Sequence, residues 1–120
     1  MEGKDMSPAT QNTVTVIGSN IANAVVQITQ SGKDTISKET ARKLLELVNS
    51  DEIKELRKND RLDVLDQVDD IVKELNSAST DKGKVHRGLK RLVKFVPSAE
   101  AKTMVAHAAI AYANAKGIMP

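Results

Sequence analysis

The character of the sequence changes between Gln30 and Ser37, and this change limits the possible folds more than any other feature. Before it, residues 13–29 consist mainly of short β-branched runs set among Asn, Ser, Thr and Gln. After it, charged and apolar residues recur at helical spacing almost to the end of the chain. The pattern predicts a mainly α-helical domain that follows an N-terminal segment of a different kind.

The N-terminal segment begins with the period of a half-buried strand, because residues 12–17 alternate threonine with valine. The Gly-Ser-Asn sequence at 18–20 is typical of a turn. Residues 21–30 then allow two interpretations, a strand or a helix. The helix would be capped by Ser19 and ended by Gly32. Its apolar stripe would consist of Ile21, Ala24, Val25 and Ile28. The β-branched residues favour the strand, and we predict a short β-hairpin or strand pair.

A two-stranded β element is marginal alone in water and needs a helix face or further strands to become stable. The segment 12–30 would therefore be completed either by the helices of its own chain or by strands of other copies. The second possibility predicts a homo-oligomer held by backbone hydrogen bonds. Residues 1–11 have little to bury and are expected to form a flexible tail. The predicted assembly residues are Val14, Val16, Val26 and Ile28.

Residues 37–117 carry the signals of a helical domain, and we predict an antiparallel bundle of three or four helices. Ser37, Asp81 and Ser98 are placed to cap helices. Gly117 stands where a glycine ends the last helix. The predicted buried stripes are Ala41, Leu44, Leu45 and Val48; Leu65, Val68, Val72 and Leu75; and Val85, Leu89, Leu92 and Val96.

The composition excludes several classes of protein. A chain of 120 residues is one domain, and the absence of cysteine excludes disulfides, thiolate catalysis and Cys-ligated zinc. One Phe, one Tyr and no Trp leave little for stacking on bases or sugars. No stretch approaches the roughly 20 apolar residues of a membrane span, and the first residues lack the apolar run of a signal peptide. We expect a cytoplasmic protein that does not bind membranes.

Charge is unevenly distributed, although the net charge is only +2. It is −1 over residues 1–36, −3 over residues 37–80 and +6 over residues 81–120. One helix of the basic part places cations along a single stripe, which suits salt-sensitive binding of a polyanion such as nucleic acid or a nucleotide. No aromatic residues interleave with these cations. The candidate anion-binding residues are Lys84, Arg87, Lys90, Arg91 and Lys94.

No pattern predicts an active site, a metal site or a cofactor. Asp63, Asp66 and Asp70 share one face of the acidic helix. A hard cation needs oxygen ligands from several directions, so a solvated or ion-paired face is the better interpretation. His86 and His107 lie on different helices, and the serines lie in turns and caps. We expect no catalytic residue and no enzymatic activity.

These observations favour a non-enzymatic self-assembly or adaptor module that works through protein–protein contacts. The alternative is a polyanion-binding or sequestering protein that uses the basic helix. The layout, an Asn/Thr/Val region before an acidic and then a basic helix, resembles that of small bacterial and phage proteins, and no motif identifies a family.

Overall fold

The computed structural model describes the backbone of residues 8–118 and the side chains of residues 13–118. Within this range the chain forms helices and no strand, so the prediction of an N-terminal β-hairpin or strand pair is wrong. Residues 1–7 of the predicted tail lie outside the described residues, and residues 8–11 belong to the first helix. The helices are α1 (Pro8–Gln30), α2 (Thr35–Val48), α3 (Asp51–Lys54), α4 (Lys58–Asn76), α5 (Lys82–Leu92) and α6 (Ala99–Lys116).

Helix α1 replaces the predicted strands because it buries one apolar stripe against the bundle. Ile21, Val25 and Ile28 are almost completely buried, at the i, i+4 and i+7 spacing of one helix face. β-branched residues lower helix propensity by less than about 0.7 kcal/mol each. Full burial of an aliphatic side chain contributes about 1.5–3 kcal/mol, so packing outweighs the local preference. The stripe of the helical interpretation is therefore the one that forms, within a helix that begins at Pro8 rather than near Ser19.

The ends of the other helices follow the capping signals closely. Asp81 accepts a hydrogen bond from the Lys84 amide at 3.2 Å, and Ser98 accepts one from the Ala101 amide at 3.0 Å. Helix α2 begins earlier than predicted, because its cap is Asp34 rather than Ser37. Gly117 ends α6 with φ +70°, a left-handed conformation that glycine adopts without strain.

The apolar stripes predicted for α2, α4 and α5 form the core. All of their members are buried except Leu45, which is half-buried. Helix α4 lies at the centre and packs against α1, α2, α3 and α5, whereas the alanine-rich α6 packs against α5 and α2. Tyr112 and Val105 anchor α6 in the core, while Ile110 faces outward and is 55% exposed.

Side-chain hydrogen bonds fix the relative directions of the helices. The Asn76 amide donates to Gln27 Oε1 at 2.7 Å, so α1 and α4 end at the same side of the bundle and run parallel. Lys82 Nζ donates to the Lys116 carbonyl at 3.1 Å, so the start of α5 lies beside the end of α6. Gln67 contacts Gly88 and Glu74 contacts Asp81, so α4 and α5 are antiparallel, as are α5 and α6.

Candidate functional site

The cations predicted to bind anions cover the solvent side of α5 and of the turn that follows it. Burial of Val85, Leu89 and Leu92 on the opposite side of this short helix turns its polar residues outward. We call these five exposed residues the basic surface: Lys84, Arg87, Lys90, Arg91 and Lys94. All except Lys84 also surround a shallow depression of about 310 Å³.

The charges of the basic surface are not neutralised by ion pairs within the described part of the chain. Among residues 13–118 the ion pairs are Lys73 with Asp69, at 2.8 Å, and Lys116 with Asp34. The hydrogen bond from Lys73 to Asp69 raises the pKa of Lys73. The acidic helix α4 thus satisfies one of its own carboxylates with its own lysine rather than with a cation of the basic surface.

A groove of about 410 Å³ separates α5 from α4. Its floor consists of the buried residues Gln67, Ile71 and Gly88. Asp70 and Glu74 line the α4 wall. The opposite wall carries Lys84, Arg87 and Arg91. The groove therefore has one acidic and one basic wall.

The floor of this groove is a close contact between two helices. Gln67 Nε2 donates a hydrogen bond to the carbonyl of Gly88 at 3.2 Å. A Cβ atom at Gly88 would stand 2.8 Å from Cγ1 of Ile71. A glycine at this position lets the backbones approach, which brings the acidic and basic walls near each other.

The carboxylates considered as metal ligands lie on the solvent side of α4. Asp63, Asp66 and Asp70 are all exposed, and we call them the acidic ridge. No group of three or more His, Asp or Glu residues among the described residues converges as a metal site. The acidic ridge is instead a charged strip beside the groove.

The four predicted assembly residues fall on two sides of α1. Ile28 is buried and Val14 is half-buried against the core. Val16 and Val26 face outward and are 55% and 48% exposed. The structure therefore brings together only Val16 and Val26 on one outer side.

The outer side of α1 lacks charged residues. Residues 6–32 contain no Asp, Glu, Lys or Arg, whereas each of α2 to α6 has exposed charged residues. We call this side the uncharged surface of α1; it comprises Val16, Ser19, Asn20, Asn23, Val26 and Gln30. The uncharged stretch is visible in the sequence and could have predicted this surface, but the strand-like alternation of residues 12–17 favoured a different structure.

An apolar groove between α5 and α6 was not anticipated from the sequence. Its volume is about 280 Å³, and the exposed Ile110 stands at its edge. His86 is only 8% exposed and lines this groove, while His107 is exposed. The other lining residues are Lys90, Val93, Ala106 and Ala109.

A polar junction joins the helix ends on one side of the bundle. The Tyr112 hydroxyl is buried there without a hydrogen-bond partner among the described residues. Burial, together with the carboxylates of Asp34, Glu74 and Asp81, raises the pKa of Tyr112 to about 12. Partial burial of Asp34 is outweighed by hydrogen bonds from Lys116 and Ser37, which lower its pKa to about 2. The junction joins the start of α2 to the end of α6 through the pair of Asp34 and Lys116.

Within the described residues, no helix combines the length and the apolar character needed to cross a membrane. Comparisons of the chain with protein families, curated proteins and solved structures find no match.

Proposed function

We propose that the protein is a non-enzymatic assembly module whose copies associate through the uncharged surface of α1. The observation that supports this proposal is the contrast between α1 and the other helices. A helix of 23 residues lies on the outside of the bundle without a single charge, and it exposes Val16 and Val26. Desolvation of exposed aliphatic residues on a neutral helix face costs little free energy, because no charge has to leave water.

The chemistry of this surface favours an identical partner. The side-chain amides of Asn20, Asn23 and Gln30 each donate and accept hydrogen bonds, so a second copy can satisfy them. A charged partner would have to bury charges opposite a surface with no counter-charge, which is costly. Among the described helices only α1 has no exposed charged residue, and a two-fold dimer brings two such surfaces together.

Replacement of Val16 and Val26 by Asp tests the proposal, because both side chains are exposed and the bundle core is left intact. At high salt, which screens contacts between charged surfaces, we expect the molar mass from light scattering after size exclusion to fall from that of a dimer to that of a monomer. Ile110→Asp is the matched control, since Ile110 is as exposed as Val16 at 55%. Circular dichroism checks that all variants stay folded. A wild-type protein that is monomeric at high concentration would contradict the proposal.

A second candidate function is polyanion binding by the basic surface. The specific observation in its favour is the depression surrounded by Arg87, Lys90, Arg91 and Lys94, none of which has an ion-pair partner among residues 13–118. Four such cations in contact with single-stranded nucleic acid predict a salt slope of about −3 in the logarithm of the binding constant.

Titration of a fluorescent oligothymidylate at several salt concentrations tests the second candidate. We expect Arg87→Glu with Arg91→Glu to abolish the salt-dependent binding. The matched control reverses two exposed cations on another helix, Arg42→Glu with Lys43→Glu. Equal loss in both double variants would show that only the overall charge matters, and no binding at low salt would remove the candidate.

A further inference from the structure

Two strips of opposite charge lie side by side on one face of the molecule. The acidic ridge of Asp63, Asp66 and Asp70 runs along α4, and the basic surface runs along α5. The two helices are antiparallel neighbours, and the groove with walls of opposite charge lies between them. Within the described residues the three carboxylates and the five cations form no ion pairs with one another.

From this arrangement we propose that the α4–α5 face is a homotypic interface on which a second copy of the chain docks. A two-fold axis along the groove exchanges the positions of α4 and α5. The acidic ridge of each copy then lies over the basic surface of the other, and the contact is made twice. A two-fold axis across the groove would place acid on acid and base on base. Charge therefore selects one orientation.

The charge pattern fits a second copy better than it fits a polyanion. A polyanion bound to Lys84, Arg87 and Arg91 would lie against Asp70 and Glu74 on the opposite wall of the same groove. A second copy pairs both strips at once and leaves no like charges facing each other. The volume of about 410 Å³ gives room for the side chains of the partner to enter.

This interface is independent of the uncharged surface of α1 and differs from it in its response to salt. The Debye length falls from about 30 Å to about 3 Å between 0.01 M and 1 M ionic strength, so pairing of exposed charges weakens strongly over this range. Contacts between neutral residues are not screened. A chain with two separate two-fold interfaces forms strings of alternating contacts, which high salt shortens to dimers.

Charge exchange between two variants tests the proposal. The first variant carries Asp66→Lys and Asp70→Lys, and the second carries Arg87→Glu and Arg91→Glu. All four positions are exposed, so the core is unaffected. Each variant alone has like charges at these four positions and is expected to lose this contact. An equimolar mixture is expected to restore it, because the charges of the first variant at these four positions are opposite to those of the second.

The measurement is capture of the second variant by the affinity-tagged first variant at low ionic strength. We expect mixed complexes to exceed the self-capture of either variant by about tenfold or more, and to disappear at high salt. A mixture of the tagged first variant with the Arg42→Glu and Lys43→Glu protein is the control for general attraction between opposite net charges. Equal capture of both partners overturns the proposal. A second result would also overturn it: no mixed complex forms, the second variant loses oligonucleotide binding and the first variant gains it. That result would assign the basic surface to a polyanion.

Discussion

Gly88 lies so near Ile71 that a methyl group on Gly88 would stand 2.8 Å from Cγ1 of the isoleucine. Alanine is the better helix former by about 1 kcal/mol, but here the added atom must displace a side chain that is only 2% exposed. We expect Gly88→Ala to destabilise the protein by about 1–3 kcal/mol, measured by urea unfolding. Stabilisation would show that α4 and α5 separate easily.

Gly18 offers the matched comparison in the middle of α1. A Cβ atom built there meets no heavy atom within 4 Å. Gly18→Ala should therefore gain the intrinsic helix preference without a steric cost, and we expect stabilisation by about 0.5–1 kcal/mol in the same urea titration. A loss of stability would argue against a continuous helix across this position.

Ile28 and Val26 test the helical conformation of the N-terminal segment directly. A strand would place them on the same face, whereas α1 buries Ile28 completely and leaves Val26 48% exposed. We expect Ile28→Ala to cost about 2–4 kcal/mol and Val26→Ala to change stability by less than about 0.5 kcal/mol. Thermal unfolding of dilute samples measures both. Similar costs at the two positions would contradict the helix.

Asp34 should make stability depend on pH at the acidic end. Hydrogen bonds to its carboxylate hold the pKa at about 2 in the folded protein, against 3.8 as the ordinary value. Its contribution is therefore present above pH 3.8 and lost as the pH falls through about 2, because the unfolded chain binds the proton first. We expect Asp34→Ala to cost about 1 kcal/mol at neutral pH through loss of the cap.

Asp34→Asn is the control that separates the cap from the charge, because asparagine also caps helices well. It should retain most of the stability at neutral pH and remove the loss between pH 3.8 and about 2. Unfolding curves at a series of pH values measure both effects. A wild-type protein and an Asn variant with the same acid profile would contradict the pairing of Asp34 with Lys116.

We expect Tyr112 to lose its proton at a higher pH than an exposed tyrosine, and to tolerate replacement by phenylalanine. Burial and three nearby carboxylates raise its pKa to about 12, from an ordinary 10.0. The stability it contributes is present below pH 10.0 and lost as the pH rises through about 12. The chain has one Tyr and no Trp, so phenolate absorbance reports this residue alone. A midpoint near 10 would place the ring in solvent.

The buried Tyr112 hydroxyl has no partner among the described residues, and burial of an unpaired hydroxyl costs about 1–3 kcal/mol. Tyr112→Phe should therefore stabilise the protein by about 1 kcal/mol in urea unfolding. It should also remove the loss of stability at alkaline pH. Destabilisation by this substitution would mean that the hydroxyl is hydrogen-bonded.

The helical part of the fold was predictable because several signals agreed at each element. At Asp81 and Ser98 the capping side chain, the following apolar stripe and the helix all coincide. The N-terminal segment was mispredicted because its signals conflict. β-branched residues favour strands locally, while Pro8 begins the helix at the position that proline prefers.

The candidate site was also predictable only in part. The exposure of the basic surface follows from helical periodicity, since buried Leu89 fixes the opposite side. The proximity of Asp70 and Arg87 in one groove does not follow from it, because periodicity within a helix contains no information on which neighbour approaches how closely. The separation between α4 and α5 depends on Gly88, whose packing against Ile71 is a tertiary contact.

The parallel pairing of α1 with α4 has a consequence for the order of folding. Most packed pairs are neighbours in the chain, but Gln27 and Asn76 are 49 residues apart. Closing the long loop between them costs conformational entropy before their contact can form, whereas the α4–α5 hairpin forms across a short connection. On the ribosome α1 is therefore made well before α4, the helix against which it packs most extensively. Until α4 emerges, Ile21, Val25 and Ile28 have only α2 to cover them.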